Sequence, residues 1–279
     1  GLGDVYKRQV SLLSVVLASA QVNTDQVLRI GQNALYFEDY MLSIQYFNQA
    51  IQAKPYLAQP YFLRAIAKLN LEDFRGAEED ASKAIELNPF LTDAWEVRGV
   101  ARHNTGRHRL AVEDYTEALK LLPRNRQLLF NKALALNDLK EYGEAAEAFD
   151  EILRYYPRFE NAYLGRARTR LALADTAKAL EDIDKALEIN KNALNAYIMR
   201  ADIAINSEGD YEKALADIDY AIRLQPRAAG LYINRAFLRY KTDSYKGAMA
   251  DYDYALTLEP YNMAALFNRG PVSYTHLTL

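Results

Sequence analysis

The side chains of this 279-residue sequence that could do chemistry are few, and most of them recur at fixed spacing. His103 and His108 flank one short stretch, HNTGRH, and a metal ion is the first thing to test there. A five-residue gap with no carboxylate ligand set beside it is poor metal geometry. His108 also takes the place that Tyr40, Phe74, Tyr142, Tyr211 and Tyr245 hold elsewhere, which reads as a packing position. The third histidine, His276, stands near the C-terminal end and carries no argument. There is no cysteine, so disulfides, zinc–thiolate sites and thiol nucleophiles are all excluded. No phosphate-binding loop, G-x-G-x-x-G, nucleophile elbow or H-E-x-x-H motif occurs. The acidic runs Glu78-Glu79-Asp80 and Glu181-Asp182 read as solvated helix faces. A net charge of -3 gives no broad field to draw in nucleic acid or anionic lipid. The expectation is a non-catalytic chain with no cofactor and no metal site.

One charged pattern stands apart. Arg64, Arg98, Arg166, Arg200, Arg235 and Arg269 form one series, and Asp80, Asp114, Asp182, Asp217 and Asp251 form another. Where the first series has Ile30 the second has Tyr46, and where the first has Lys132 the second has Ala148. The first pair lacks both charges, and the second lacks the acid and alters the base, so base and acid sixteen or seventeen residues apart vary together, which predicts a clamp inside one structural unit. Taken as exposed pairs, such clamps are worth only about 0–1 kcal/mol each. The competing reading is a ladder of arginines that binds an acidic partner.

These series belong to a period that runs through the chain. Pro55, Pro89, Pro123 and Pro157 are 34 residues apart; Lys191 takes the next place, and Pro226 and Pro260 follow after one extra residue. That extra residue is expected in the turn Asn206-Ser207-Glu208-Gly209-Asp210. Small residues keep the same beat: Gly31, Ala65, Gly99, Ala133, Ala167, Ala201, Ala236 and Gly270 in one place, and Ala77, Ala111, Ala145, Ala179, Ala214 and Ala248 in another. Small side chains let helices approach closely, and large ones such as Phe47, Trp95, Tyr115, Phe149 and Tyr252 fill between them. Proline ends a helix, and turns such as Glu72-Asp73 separate the two helices of a unit. Each unit reads helix–turn–helix and cannot bury its apolar face alone.

A 34-residue unit carrying Trp/Tyr, Gly/Ala, Ala, Phe/Tyr, Ala and Pro in that order resembles the tetratricopeptide repeat. The resemblance covers residues 24–270, seven full units and the start of an eighth. It implies an all-α fold, a right-handed α-α superhelix (solenoid), whose first helices line a concave groove. It implies a protein–protein interaction scaffold or adaptor that holds a peptide or protein segment. On that basis the expected peptide-binding residues are Phe62, Phe130, Asn131, Leu134, Arg168, Ile198, Asn234, Phe237, Tyr240 and Phe267, with Asp202 and Asn268 among the polar groups between them. The alternative for the apolar ones is packing between neighbouring first helices. Some family members bind acidic tails through lysines, but the matching face here offers Leu28, Phe62, Glu96 and Phe130, so that specificity is not carried over. Two other functions fit the same sequence: a structural spacer or self-association segment, and the interaction arm of a larger enzyme.

The ends read differently. Lys7 and Arg8 precede an apolar run and then Ala18-Ser19-Ala20, the layout of a secretory signal peptide at residues 10–20 that is too short to span a bilayer. This predicts export, to a bacterial periplasm or cell envelope. Residues 1–9, GLGDVYKRQ, and 271–279, PVSYTHLTL, read as a non-native leader and tail on a fragment of a longer protein, with Pro271 expected to interrupt the eighth unit.

Overall fold

A computed structural model describes residues 23–278. The expected leader at 1–9 and signal segment at 10–20 lie outside the described residues. The described residues form α-helices joined by short turns, with no strand among them. They pair as the period predicts: α1 (Thr24–Tyr36) with α2 (Tyr40–Ala53), α3 (Ala58–Asn70) with α4 (Phe74–Leu87), α5 (Thr92–Asn104) with α6 (His108–Leu121), and α7 (Arg126–Asp138) with α8 (Tyr142–Tyr155). Then follow α9 (Glu160–Ala172) with α10 (Thr176–Ile189), α11 (Leu194–Ile203) with α12 (Tyr211–Leu224), and α13 (Ala229–Lys241) with α14 (Tyr245–Leu258). The last is α15 (Met263–Thr278). This is the all-α helical-repeat fold. Contacts group it into two compact units, divided between Ala148 and Phe149.

Each hairpin turn is built the same way. Glu38, Glu72, Lys140, Ala174 and Asp243, with Gly106 and Gly209, all have positive φ, between 59° and 76°. They recur every 34 or 35 residues and end the first helix in a left-handed cap. In the second repeat, Glu72 N–H donates to Leu69 O at 3.1 Å and Asp73 N–H to Lys68 O at 2.9 Å, closing the last carbonyls of α3. Asp73 then caps α4 by accepting from Gly76 N–H at 3.0 Å. Asp39, Asp175 and Asp210 cap their helices in the same way. One aspartate therefore closes one helix and opens the next, which fixes the turn at three residues.

The extra residue of the sixth repeat is not a looser loop. It widens the end of α11 into a π-helical segment, Ala204–Glu208, which closes on Gly209. A π-bulge absorbs one residue while the helices on either side keep their register. A second difference concerns Pro271. Helix α15 runs on through it, and Val272 beyond it is 1% exposed. The proline removes one helical hydrogen bond but does not end the helix, because Val272 is held in the apolar cluster that also contains Ala236, Tyr252 and Ala265.

The small-residue series does mark the closest approaches. Ala65, Ala133, Ala167, Ala201 and Ala236 are fully buried, as are Ala77, Ala111, Ala145, Ala179, Ala214 and Ala248. The first helices of neighbouring repeats also touch each other: α3 with α5 and α5 with α7 in the first unit, α13 with α15 in the second. Side chains on those helices therefore share one face within each unit.

Candidate functional site

The arginine–aspartate series comes together as a clamp within each hairpin. Arg64 meets Asp80 at 2.5 Å, Arg98 meets Asp114 at 2.7 Å, Arg166 meets Asp182 at 2.5 Å, Arg200 meets Asp217 at 2.8 Å and Arg235 meets Asp251 at 2.6 Å. Two expectations need correction. Asp80 and Asp182 do not lie on solvated faces, since their side chains are 6% and 2% exposed. Nor are the clamps exposed pairs. The carboxylate sits beneath the helix crossing while the guanidinium lies at its rim, over the ring three residues earlier (Tyr61, Trp95, Tyr163, Tyr197 or Tyr232). Breaking one partner of a buried pair strands the other, which costs several kcal/mol where an exposed pair would cost almost nothing.

Two features of the clamp were not read from the sequence. A second base one turn on joins the same carboxylate: Lys68, Arg102, Arg170 and Arg239, at 2.7–2.9 Å. Each clamp arginine also reaches back sixteen residues to the preceding hairpin, to Asn48, Ser82, Asp150, Asp184, Asp219 or Asp253. The arginines thus tie repeat to repeat. Pairing with Asp217 and Asp251 raises Arg200 and Arg235 above the ordinary arginine range. Burial pushes the Asp114 carboxyl above its usual value in spite of Arg98 and Arg102. Guanidiniums spent this way are not a ladder for an acidic partner.

The expected groove residues separate into two groups. In the first unit Phe62 is a packing residue, lodged against Leu28 and Leu63 on one side and Ala65 and Val97 on the other. Phe130 and Leu134 are half-buried. Asn131 is not a free amide: it accepts from Gln127 Nε2 at 2.9 Å and donates to Glu96 Oε1 at 3.4 Å. Burial raises the Glu96 carboxyl, with Asp93 adding to the effect.

In the second unit Ile198 and Tyr240 pack against the main apolar cluster, and Arg168 and Phe267 are exposed. Asn234 and Phe237 converge on one recess of about 170 Å³. Its other walls are Asp202 on α11, Ile205 in the π-segment, Ile218 on α12, Ile233 on α13 and Asn268 on α15. The floor is apolar, and Asp202, Asn234 and Asn268 stand at its rim with no ion pair or hydrogen bond to another described side chain. Desolvation by this floor raises the Asp202 carboxyl above its ordinary value. The π-bulge is the signal that sequence reading passed over. It sits one turn beyond Asp202 and supplies Ile205 to the recess.

The histidine pair changes meaning as well. His103 and His108 meet edge to face with ring centroids 4.9 Å apart, as packing predicts. The missing carboxylate is present after all: Asp138, from the next repeat, lies 2.6 Å from His103 Nε2.

Comparisons with known proteins agree with this fold. Two tetratricopeptide-repeat family models match, one over residues 62–115, 104–158 and 133–194, the other over 201–269. No curated protein sequence matches the chain. Among solved structures, a tetratricopeptide-repeat protein from Parabacteroides merdae superposes with a TM-score of 0.70 at 18% identity, covering 90% of this chain and 98% of its own. PilF of Pseudomonas aeruginosa gives 0.62 at 22% identity, covering 77% and 97%. MamA from Desulfovibrio magneticus gives 0.59 at 18%, covering 62% and 99%. At these identities the likeness is one of fold.

Proposed function

Since this chain belongs to the tetratricopeptide-repeat family, whose members are protein-interaction scaffolds, we propose that it is a non-catalytic adaptor that holds a peptide segment in the recess between α11, α13 and α15. The observation that carries this reading is the combination found there. An apolar floor of Ile205, Ile218 and Ile233, with Phe237 beside it, is ringed by Asp202, Asn234 and Asn268, which bond no other described side chain. An amide side chain offers a donor and an acceptor together, which is what an extended peptide backbone requires. The floor takes one apolar side chain as anchor, and Asp202 takes a backbone or side-chain N–H.

The test is selection of binding peptides from a random library on the full chain, followed by titration of the selected peptide. Phe237→Ala with Asn234→Ala is expected to weaken binding at least tenfold, about 1.4 kcal/mol. Raising salt is expected to change it little, because no row of like charges lines the recess. Unchanged affinity in the double variant, or binding lost on moderate salt alone, would place the partner elsewhere.

The layout of residues 10–20 supports export as the setting for this adaptor. Expressed in a bacterium behind an initiating methionine, the mature protein should begin at Gln21, read by N-terminal sequencing; an intact leader would refute export.

A further inference from the structure

In the third repeat, two places that most other repeats fill with apolar or phenolic side chains (Asn137 and Thr176 are exceptions) both hold histidine. His103 stands where Leu69 and Leu171 stand, and His108 where Phe74, Tyr142 and Tyr211 stand. In the seventh repeat these places hold Tyr240 and Tyr245, whose rings meet edge to face at 5.7 Å. The two imidazoles reproduce that contact at 4.9 Å, so packing is satisfied by either kind of ring and does not call for histidine twice. What the imidazoles add is ring nitrogens. Asp138, at the end of α7, completes the group, and one ligand-capable atom from each of His103, His108 and Asp138 lies within 4.8 Å of the others. His108 Nδ1 is buried with no hydrogen-bond partner. A buried polar nitrogen left so is costly, and a ligand held between the rings removes that cost.

We propose that His103, His108 and Asp138 form a binding site for a divalent transition ion of the zinc type. Two imidazoles and a carboxylate are ligands zinc accepts, with bonds of about 2.0–2.2 Å, leaving a fourth position for water. Ligand atoms around a tetrahedral ion stand roughly 3.3 Å apart. The group therefore closes through a turn of the Asp138 side chain, which is 49% exposed and would exchange its direct contact with His103 for the ion. The bases beside His108 do not oppose a cation, because Arg107 is paired with Glu78 and Arg109 with Glu141. The bound ion would clip the turn between α5 and α6 to the end of α7, joining the third repeat to the fourth.

The experiment uses the full chain, stripped with a chelator and titrated with zinc chloride by calorimetry and with cobalt(II) by visible absorption. One equivalent of zinc is expected, with the cobalt bands of a four-coordinate nitrogen–oxygen site, and zinc should raise the thermal midpoint. The variants His103→Leu with His108→Tyr, and Asp138→Asn, give these positions residues that other repeats carry, so both are expected to fold, as circular dichroism checks. Each should bind zinc at least tenfold more weakly, lose the cobalt bands and show no zinc-dependent rise in midpoint. If the variants keep the cobalt bands, or if the wild-type chain binds no equivalent of zinc, the site is refuted. His103 and Asp138 would then be only a hydrogen-bonded pair and His108 a packing ring.

Discussion

Gly99 has no room for a methyl group. A Cβ built there would stand 2.5 Å from Cε1 of Tyr115, a ring that is itself 1% exposed and cannot swing away. Gly31 faces Phe47 in the same manner, whereas in the second repeat Ala65 is opposite Ala81 and an alanine fits. In the first and third repeats, then, glycine stands where a ring presses closest. Gly99→Ala gains up to about 1 kcal/mol of helix propensity. Overpacking of about 1–3 kcal/mol outweighs that gain, so urea unfolding should show a net loss; an equal or higher midpoint would mean that the hairpin relaxes around the methyl. Glu78 offers a pH test. Burial works to raise its carboxyl, but hydrogen bonds from Arg107 and Arg102 outweigh that and leave it below its ordinary 4.5. A lowered carboxylate contributes stability that is present above its unfolded pKa and lost as pH falls through the folded one. Glu78→Gln should therefore lower the thermal midpoint at neutral pH, with the gap to wild type closing in acid below the ordinary carboxylate range. A gap that stays constant with pH would mean the glutamate acts through shape alone.

At the scale of the hairpin, the left-handed turn residue sets the cost of each connection. An L-residue pays about 1–2 kcal/mol there. Gly106 avoids that, and nothing lies within 4 Å of a Cβ added to it, so the cost of Gly106→Ala is conformational alone. A loss of about 1 kcal/mol by denaturant titration is expected, and a neutral result would show that the turn can adopt another shape. Helix bounds and turn positions were legible in the sequence because the prolines and small residues each serve one local purpose, repeated. The clamp was legible because Ile30 and Tyr46 lack their charges together, and because the base is altered, to Lys132, where the acid is missing at Ala148. Its backward bond was not: the acceptor is an aspartate at Asp150, Asp184, Asp219 and Asp253, but Asn48 and Ser82 replace it in the first repeats, so base and acid are not kept or lost together there. Asp138 was missed for a related reason. First helices of adjacent repeats meet 35 residues apart, as Glu96 and Asn131 also do, so the carboxylate completing the histidine pair lay one repeat further on than a local search reaches. Asn131 itself read as an open amide, but Gln127 one turn earlier takes its oxygen, and Glu96 of the preceding repeat takes its N–H once the helices are packed.

For the molecule as a whole, two compact units imply that unfolding is not a single event. Repeat arrays are held by nearest neighbours, and long ones depart from all-or-none behaviour. Trp95 is the one tryptophan, set in the third repeat with its indole N–H donating to Pro89 O at 2.9 Å, so its fluorescence reports on its own surroundings. In urea, its transition should fall apart from that of far-ultraviolet circular dichroism, which averages over all helices; coincident curves would show one cooperative block. The backward-reaching arginine has a further consequence, for how such a chain can change its number of repeats. Each guanidinium takes one partner sixteen residues behind and one sixteen or seventeen ahead, and the rear partner can be an amide, a hydroxyl or a carboxylate. Between neighbouring repeats that both carry the clamp, a duplication or loss of one full period rejoins each arginine to an acceptor behind and an aspartate ahead. Gain or loss of a whole unit there leaves no bare charge at the splice, while a splice into the repeat of Lys132 and Ala148, or an insertion out of step with the period, strands one. The single residue absorbed by the π-segment marks how small an out-of-step change this architecture has taken in.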